Sequence, residues 1–452
     1  MNINRVLEKI PDYKEFLTVE ELDESSRQLA DEFDSVNMVE AGKSREGRPI
    51  SYLKIGEGKR NALLFAFPHP NEPIGSMTVE FLSHYLTENP EFTQELGYTW
   101  YLIKAVDPDG AALNEGWFKG EFNPVKYARH YYRPPSHEQI EWTFPVSYKK
   151  LEFNNPPVET RALMKVMNKT RPDFLFSLHN AGFCGVYYYI SKPIQKMYPE
   201  YAELVKSQDL PLHRGEPETP YIKTLAPAIY QMFGIQNSYD FFTKNGVENP
   251  QELIKSGTSS YDYLNRITDS KGFTLVCEMP YFYDRALGDD TETEHDRRKL
   301  VLEALEKASK TNRYVKKRFD IIKEYCDIEN RLYTAVNDFV GNFEKRLAPM
   351  INNAETSPMY EGKATVAQAF DSQVSKSYYQ SLITGMTARL CGHAMEQEPS
   401  KKDLISGIKD ELDGFVEENI TSSLRGTSFE VIPIRKLVSV QVGSALITLK
   451  NI

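Results

Sequence analysis

Apolar runs recur through the first two thirds of the chain, and three of them end in a polar residue that suits metal chemistry. The run ALLFAFP leads into His69, DFLFSL leads into His179, and FTLVC leads into Glu278. Runs of about six residues rich in Leu, Phe and Val are typical of strands that are buried on both faces. Because the carboxyl ends of parallel strands meet at one edge of a sheet, we expect these three side chains to lie close together.

Residues 1 to about 290 alternate strand-like runs with helical patterns, which predicts an α/β fold. Its sheet is expected to be mixed and mostly parallel, with helices on its flanks. After the acidic stretch at 289–296, apolar residues recur mostly every three or four positions, as in long amphipathic helices. We therefore predict a catalytic domain over residues 1–290 and a mainly helical domain over residues 295–452. The apolar stripe of these helices leaves a homo-oligomer contact open, although packing on the sheet is the ordinary expectation.

The end of the chain carries a different pattern. Residues 428–452, with the sequence SFEVIPIRKLVSVQVGSALITLKNI, alternate apolar and polar positions around Gly443. Alternation with a period of two is the pattern of a strand with one buried face, and an internal glycine suits a turn. The helical domain is therefore predicted to end in a β-hairpin.

Composition disfavours two classes of partner. The chain has 452 residues, of which 40% are hydrophobic, and this is enough for a core in each of two domains. Its 54 basic and 64 acidic residues give a net charge of -10, which disfavours nucleic acid as a partner. No apolar run approaches the roughly 18 residues that a membrane span needs, and the amino terminus lacks a secretory pattern. The four cysteines lack CxxC spacing and suit reduced thiols, so we expect a cytoplasmic protein.

The polar residues at the strand ends have the chemistry of a catalytic metal site. His69 and Glu72 lie three residues apart in a proline-rich loop, and His179 follows a neighbouring predicted strand. Two imidazoles and one carboxylate leave a fourth position open for water, as in catalytic zinc sites, so Zn²⁺ is the expected cofactor. Zinc brings the pKa of a bound water to about 7, and a further carboxylate must then accept its proton. Glu278 is the candidate.

These residues and their contexts resemble the zinc metallocarboxypeptidases of the carboxypeptidase A class over roughly residues 35–290. The resemblance rests on the order and loop context of five segments, which are HPNE at 69–72, SREGRPISYLKIG at 44–56, DPDG at 107–110, PPVETRALMKVMNKTRPDFLFSLHN at 156–180, and the late strand-end Glu278. It implies zinc on His69, Glu72 and His179, with Glu278 as general base and acid. It also implies hydrolysis of the bond to the last residue of a peptide or peptide-like substrate.

The resemblance further suggests residues that bind substrate. The family uses an arginine to clamp the terminal carboxylate, and this residue is expected at Arg129, with Arg133 as the reserve candidate. Tyr261 is expected to form the floor of the specificity pocket. Animal members have one arginine inside the HxxE loop and another just after a tryptophan, where this chain has Asn71 and Lys119. Lysine is a point charge without the planar fork of arginine, so stabilisation of the oxyanion is expected to differ.

Two alternative functions stay open at this stage. A zinc deacylase similar to aspartoacylase and succinylglutamate desuccinylase would use the same ligands, and Asn71 favours it because the zinc loop of those enzymes is also HxNE. The DPDG turn, the late strand-end Glu278 and the chain length favour the peptidase. In the second alternative, the altered arginines indicate a binding module that has lost activity, although all three predicted ligands and Glu278 are intact.

Overall fold

The computed structural model describes residues 2–452, which contain a ten-stranded mixed sheet with strand order β1-β2-β4-β3-β7-β11-β8-β10-β9 and β14 paired to β11. The central strands β4, β3, β7 and β11 are parallel, and the flanks contain antiparallel pairs together with the parallel pair of β8 and β10. The predicted mixed α/β sheet is confirmed. The strands are β1 (Val36–Lys43), β2 (Pro49–Ile55), β3 (Arg60–Phe65), β4 (Tyr98–Ile103), β5 (Val146–Tyr148), β6 (Leu151–Phe153), β7 (Phe174–Phe183), β8 (Tyr187–Ile190), β9 (Thr224–Ala226), β10 (Ile229–Gln231), β11 (Phe273–Tyr283), β12 (Glu292–Asp296), β13 (Lys363–Thr365) and β14 (Glu430–Val431).

Helices flank the sheet and make up most of the chain after β12, which confirms the predicted helical C-terminal region. One turn of π-helix, Asp371–Ser375, joins α15 to α16. The helices are α1 (Ile3–Leu7), α2 (Val19–Glu32), α3 (Ile74–Glu88), α4 (Pro90–Leu96), α5 (Pro108–Ala112), α6 (Pro124–His130), α7 (Val158–Thr170), α8 (Met197–Ser207), α9 (Ile235–Lys244), α10 (Pro250–Leu253), α11 (Ser260–Thr268), α12 (Arg297–Ile322), α13 (Arg331–Gly341), α14 (Phe343–Thr356), α15 (Val366–Phe370), α16 (Lys376–Gln397), α17 (Lys402–Leu424) and α18 (Ile434–Asn451). None of the helices described within residues 2–452 combines the length and apolar character needed to cross a membrane.

The apolar runs of the central strands set the register of the sheet. Every residue of β7 except Ala181 is buried, and β11 is buried over Phe273–Cys277. Buried runs of this kind suit strands that are covered on both faces. The parallel pairing of β7 with β11 places His179 directly beside Glu278. His179 and Glu278 were predicted to follow the ends of their strands, but both lie in the middle, because β7 continues to Phe183 and β11 to Tyr283. The parallel register still brings the two side chains together.

The predicted terminal β-hairpin is wrong, because the residues after Pro433 form helix α18. This helix packs among α3, α8 and β11, and its residues from Leu437 to Leu449 are all buried. A helix that is buried on every side shows no amphipathic period of 3.6 residues, and this is why the alternation of Val and Ser suggested a strand. Gly443 allows the close approach to α8, since an added Cβ would lie 2.6 Å from a methyl carbon of Leu204.

The sheet and the helical region share hydrophobic packing. One buried cluster contains Phe183 and Phe282 from the sheet together with Tyr378 from α16 and Leu446 from α18. A second cluster lies within the helical region and unites α12, α13, α16 and α17. The division of the chain at about residue 290 stays a prediction, and α18 belongs by its packing to the core of the sheet.

Candidate metal centre

A tight turn after β3 places His69 and Glu72 on the same side of the chain. The amide of Glu72 donates to the carbonyl of His69 across 3.1 Å, and α3 begins two residues later at Ile74. Phe67, just before the turn, has a positive φ of 57°, a conformation that side chains other than glycine adopt rarely. Both metal-binding side chains are buried, with 5% exposure for His69 and 3% for Glu72. The loop therefore directs the side chains of His69 and Glu72 into the protein interior, beyond the end of β3.

His69, Glu72 and His179 form a compact set of donor atoms. The Nδ1 atom of His69 lies 3.1 Å from Oε1 of Glu72, and the Nδ1 atom of His179 lies 3.0 Å from Oε2 of the same carboxylate. All candidate ligand atoms lie within 4.8 Å of one another. Zinc–nitrogen bonds of about 2.0–2.1 Å place the ligand atoms of a tetrahedral site roughly 3.3 Å apart. Two imidazole nitrogens facing one carboxylate at this spacing fit a zinc ion.

Burial and charge tune the three groups for metal binding. Burial and the charge of Arg133 lower the pKa of His69 to about 4, so His69 is neutral at pH 7. Burial opposes ionisation of Glu72, but its contacts with His69 and His179 outweigh burial and hold its pKa below the usual range. Burial also opposes protonation of His179, but the nearby carboxylates of Glu141 and Glu72 raise its pKa well above the usual value. A metal ion would have to displace the proton of His179, which makes metal affinity pH-dependent.

A second layer of polar groups holds His179 in place. Its Nε2 atom lies 2.9 Å from the hydroxyl of Ser177, which donates across 2.7 Å to Glu141. The other carboxylate oxygen of Glu141 accepts from the amide and the hydroxyl of Ser260 at 3.1 and 2.8 Å. On the opposite side, the amide of Gln441 in α18 donates to the carbonyl of His179 across 2.8 Å. Partners of this kind fix the orientation of a metal-binding imidazole. Sequence reasoning missed both Glu141 and Gln441, since neither belongs to a local motif.

Glu278 lies beside the candidate ligands but is not one of them. Its Oε1 atom is 3.9 Å from Nδ1 of His179. Burial raises the pKa of Glu278 to about 8, and the negative charges of Glu72 and Glu218 add to the rise, while His179 opposes it. A buried carboxyl group with a raised pKa can hold a proton near neutral pH and release it again. This is the property that a proton-transfer residue needs.

The two candidate arginines lie in different places. Arg129 is on the face of α6 that points to α17, where its Nη2 atom is 2.7 Å from Glu417 at an exposed position. Arg133 lies after α6 ends and turns back toward the metal ligands, with Nη1 3.1 Å from Oε1 of Glu72. Its Nε atom donates to Gln139 across 3.2 Å. The structure therefore brings the reserve candidate Arg133 into the site and places Arg129 outside it.

The remaining predicted positions also differ in whether they lie at the metal centre. Tyr261 is the second residue of α11 and lies outside the residues that line the cavities at the metal centre, whereas its neighbour Ser260 contacts Glu141. Lys119 forms an exposed ion pair with Glu21 at 2.6 Å. Asn71 lines the main cavity and donates to the hydroxyl of Tyr127 across 3.0 Å. Of the two positions that differ from animal members, Asn71 alone faces the cleft.

A cleft of about 500 Å³ opens at the metal centre between two walls. The metal wall consists of His69, Glu72, Arg133 and Glu278. The helical wall consists of Asp371, Ser375, Lys376, Tyr379 and Gln380, which come from the π-helical turn and the start of α16. A side pocket of about 60 Å³ adjoins Glu278 and is lined mainly by the apolar side chains of Trp142, Met232, Phe233 and Val276.

One family model and several solved structures match parts of the chain. Residues 23–340 match the family model described as zinc carboxypeptidase. Among solved structures, carboxypeptidase A from Helicoverpa armigera is 16% identical with a TM-score of 0.40, over 60% of this chain and 66% of that one. A metallo-carboxypeptidase from Burkholderia cenocepacia is 17% identical with a TM-score of 0.35, over 58% of this chain and 59% of that one. Bovine thrombin-activatable fibrinolysis inhibitor is 13% identical with a TM-score of 0.34, over 58% of this chain and 86% of that one.

The family match spans most of the chain and includes every candidate ligand and Glu278. It identifies zinc as the cofactor that His69, Glu72 and His179 are placed to hold. The chain therefore belongs to the zinc carboxypeptidase family and is a hydrolase that acts on peptide bonds.

Proposed function

We propose that this protein is a zinc-dependent metallocarboxypeptidase that hydrolyses the C-terminal peptide bond of a peptide or peptide-like substrate. The observation that carries the proposal is the convergence of His69, Glu72 and His179 with Glu278 3.9 Å away, at the edge of the sheet where the cleft opens. Metal ligands, a proton-transfer group and a substrate-sized cleft together are the requirements of metal-assisted hydrolysis.

Glu278 is the proton-transfer residue in this proposal. A zinc ion held by the three ligands supplies Lewis acidity and makes water reactive at neutral pH. The nearby dication would favour the carboxylate form of Glu278 and lower its pKa from about 8. Glu278 can then accept the proton of the attacking water and pass it to the amine of the departing residue.

Arg133 and Lys376 are the cations available to the substrate. Arg133 is held by Gln139 and Glu72, and its remaining donors face the cleft, where we assign it to the negative charge that develops on the scissile carbonyl. Lys376 lies on the helical wall, and among residues 2–452 no carboxylate lies within 4.0 Å of its amine, although Asp371 is near enough for the two charges to interact. A cation without a direct ion pair suits the terminal carboxylate of the substrate, which an exopeptidase must recognise. The predicted role of Arg129 thus passes to Lys376.

The experiment that tests the proposal combines zinc analysis with mass-spectrometric profiling of a peptide library, with and without a chelator. We expect one zinc ion per chain and loss of single residues from free carboxyl ends. Matched peptides with a C-terminal amide should resist cleavage. Hydrolysis of N-acyl amino acids without peptide cleavage would instead indicate the deacylase. A Glu278→Gln variant that behaves as the parent in every assay would indicate a binding module.

Three expectations from the sequence stay predictions. A cytoplasmic location is compatible with the four cysteines, which are all free within the described part of the chain. The predicted homo-oligomer contact and the predicted absence of a nucleic-acid partner are open to measurement. Sedimentation at several protein concentrations would report the first, and titration with DNA and RNA at low salt would report the second.

A further inference from the structure

A second cavity of about 500 Å³ lies on the side of the helical region, away from the metal ligands. Four elements enclose it, namely β12, α12, the segment from α15 into the π-helical turn, and the end of α17. We call it the basic cavity. It is lined by Ala286, Thr293, His295, Lys307, Val366, Ala369, Phe370, Gln373, Val374, Ser422, Ser423, Arg425, Gly426 and Thr427.

The charge of the basic cavity opposes the charge of the chain. His295, Lys307 and Arg425 line it, and its lining, all from described residues, contains neither Asp nor Glu, although the net charge of the chain is -10. Successive side chains of β12 point to opposite faces, and this contributes to the absence of acidic residues from the lining. Thr293 and His295 line the cavity, whereas Glu294 between them pairs with Lys363 at 2.8 Å. In this acidic stretch, Thr293 and His295 therefore line the basic cavity, whereas the carboxylate of Glu294 lies outside it.

The positively charged side chains of Lys307 and Arg425 lack a carboxylate partner. The amine of Lys307 donates to the hydroxyl of Ser377 across 2.6 Å, and no acidic oxygen lies within 4.0 Å of it among residues 2–452. Burial lowers the pKa of Lys307, and no nearby negative charge opposes the effect. The backbone amide of Arg425 donates to the carbonyl of Ser422 across 3.4 Å, but among residues 2–452 its guanidinium has neither a hydrogen bond nor an ion pair. Lysine has three donors and arginine five, so most of their donors are free to bind a ligand.

Hydroxyl and apolar groups complete the basic cavity. Ser422, Ser423 and Thr427 lie beside Arg425, and the hydroxyls of Ser422 and Thr427 donate to the carbonyls of Asn419 and Leu424. The hydroxyl of Ser423 is 2.7 Å from that of Ser377, which connects it to Lys307. The floor is apolar, and it is formed by Ala286, Val366, Ala369, Phe370 and Val374. Cations and hydroxyls bind phosphate or carboxylate oxygens, while an apolar floor binds carbon.

We propose that the basic cavity binds a small organic anion, with a phosphate or carboxylate group held by Lys307 and Arg425 and an apolar body on the floor. The cavity shares one segment with the metal cleft. Phe370 and Val374 face the basic cavity, whereas Asp371, Ser375 and Lys376 face the cleft. The segment includes the π-helical turn, a conformation that is frequent at functional sites. The basic cavity and the cleft therefore lie on two faces of one helical segment.

Calorimetric titration of the zinc-loaded, full-length protein with phenyl phosphate tests the proposal. Phenyl phosphate carries both a phosphate and an apolar ring, and inorganic phosphate serves as the probe without the ring. We expect phenyl phosphate to bind more tightly than inorganic phosphate. In a Lys307→Gln/Arg425→Gln double variant, the affinity should fall by about tenfold or more, because charge-assisted hydrogen bonds are lost.

A matched control separates the basic cavity from the metal and from general charge. Lys310 lies on the same helix, pairs with Glu306 and is exposed, so Lys310→Gln removes one positive charge without touching the cavity. Its affinity for phenyl phosphate should equal that of the parent. Phosphate bound at zinc would persist in the double variant. Equal affinity of the parent and the double variant, or no binding to the parent at millimolar concentration, overturns the proposal whether or not the protein cleaves peptides.

Discussion

The two walls of the cleft differ in how their side chains are held. On the metal wall, Glu72 contacts His69, His179 and Arg133, and its exposure is 3%. On the helical wall, Tyr379 is 38% exposed, and in the described chain no carboxylate lies within 4.0 Å of the amine of Lys376. The match to the family model ends at residue 340, before the helical wall begins. We infer that the packed strands and the loop after β3 fix the chemistry, while the helices select the substrate.

The largest expected effect comes from a ligand on the metal wall. Glu72→Gln replaces the negative ligand by a neutral amide of similar size, and we expect bound zinc to fall below about a tenth of one ion per chain, with loss of hydrolysis. Elemental analysis after gel filtration measures the zinc. Glu218→Gln removes an exposed carboxylate from the same cleft and should retain the metal. Equal zinc content in the two variants would contradict the assignment of Glu72.

The next effect separates metal binding from proton transfer within the metal wall. Glu278→Gln keeps the shape of the side chain but cannot accept a proton, so kcat should fall by about 10²- to 10⁴-fold while zinc content stays unchanged. Steady-state kinetics and elemental analysis on one preparation measure both quantities. Loss of zinc together with activity would show that Glu278 acts as a ligand.

A smaller effect is expected one layer behind the metal wall. Ser177→Ala removes the 2.9 Å partner of the Nε2 atom of His179 and leaves Glu141, whose Oε2 atom is 3.8 Å from Nε2, without its bridging hydroxyl. Zinc affinity should fall by about 10- to 100-fold, which competition with a chromophoric chelator measures. Ser83→Ala is the matched control, because Ser83 is buried further along α3 and its hydroxyl donates to the carbonyl of Glu80, which is not a candidate ligand. An unchanged zinc affinity for Ser177→Ala would refute the orienting role.

The helical wall should show the opposite kinetic signature. Lys376→Met removes the cation that we assign to the terminal carboxylate, so KM for peptides with free carboxyl ends should rise by about tenfold with little change in kcat. Lys376→Arg keeps the charge and should restore most of the affinity. A fall in kcat at constant KM would place Lys376 in the chemistry and remove the distinction between the walls.

The smallest effect is expected outside the cleft. Arg129→Met breaks an exposed ion pair with Glu417, and such pairs contribute less than about 1 kcal/mol to the free energy of unfolding. We expect kcat/KM within about twofold of the parent. A large rise in KM would return the carboxylate clamp to Arg129, as the sequence first suggested.

The metal wall was largely predictable because its residues come after apolar runs of sequence. Parallel strands in register bring equivalent positions together, so His179 and Glu278 could be placed side by side from those runs, although both strands continue beyond them. The choice between Arg129 and Arg133 was not predictable, because it depends on where α6 ends and the chain reverses. Glu141 contacts the site through Ser177, and no local sequence pattern predicts a contact between residues so far apart in the sequence.

The helical wall and α18 were not predictable for a different reason. Lys376 faces the cleft because α16 packs against α6, and sequence periodicity does not show which partner a helical face meets. Helix α18 is buried on all sides, so its sequence lacks the polar face that identifies a helix. Both errors concern tertiary packing, which overrides local pattern.

Helix α18 also has a consequence for the order of events during translation. It covers β7 and β11 and supports the carbonyl of His179 through Gln441, yet it is synthesised after every strand of the sheet. At about 5–20 residues per second, roughly ten seconds or more pass between the synthesis of β11 and the synthesis of α18. During that interval an apolar face of the sheet is exposed to chaperones, and His179 lacks the hydrogen bond from Gln441.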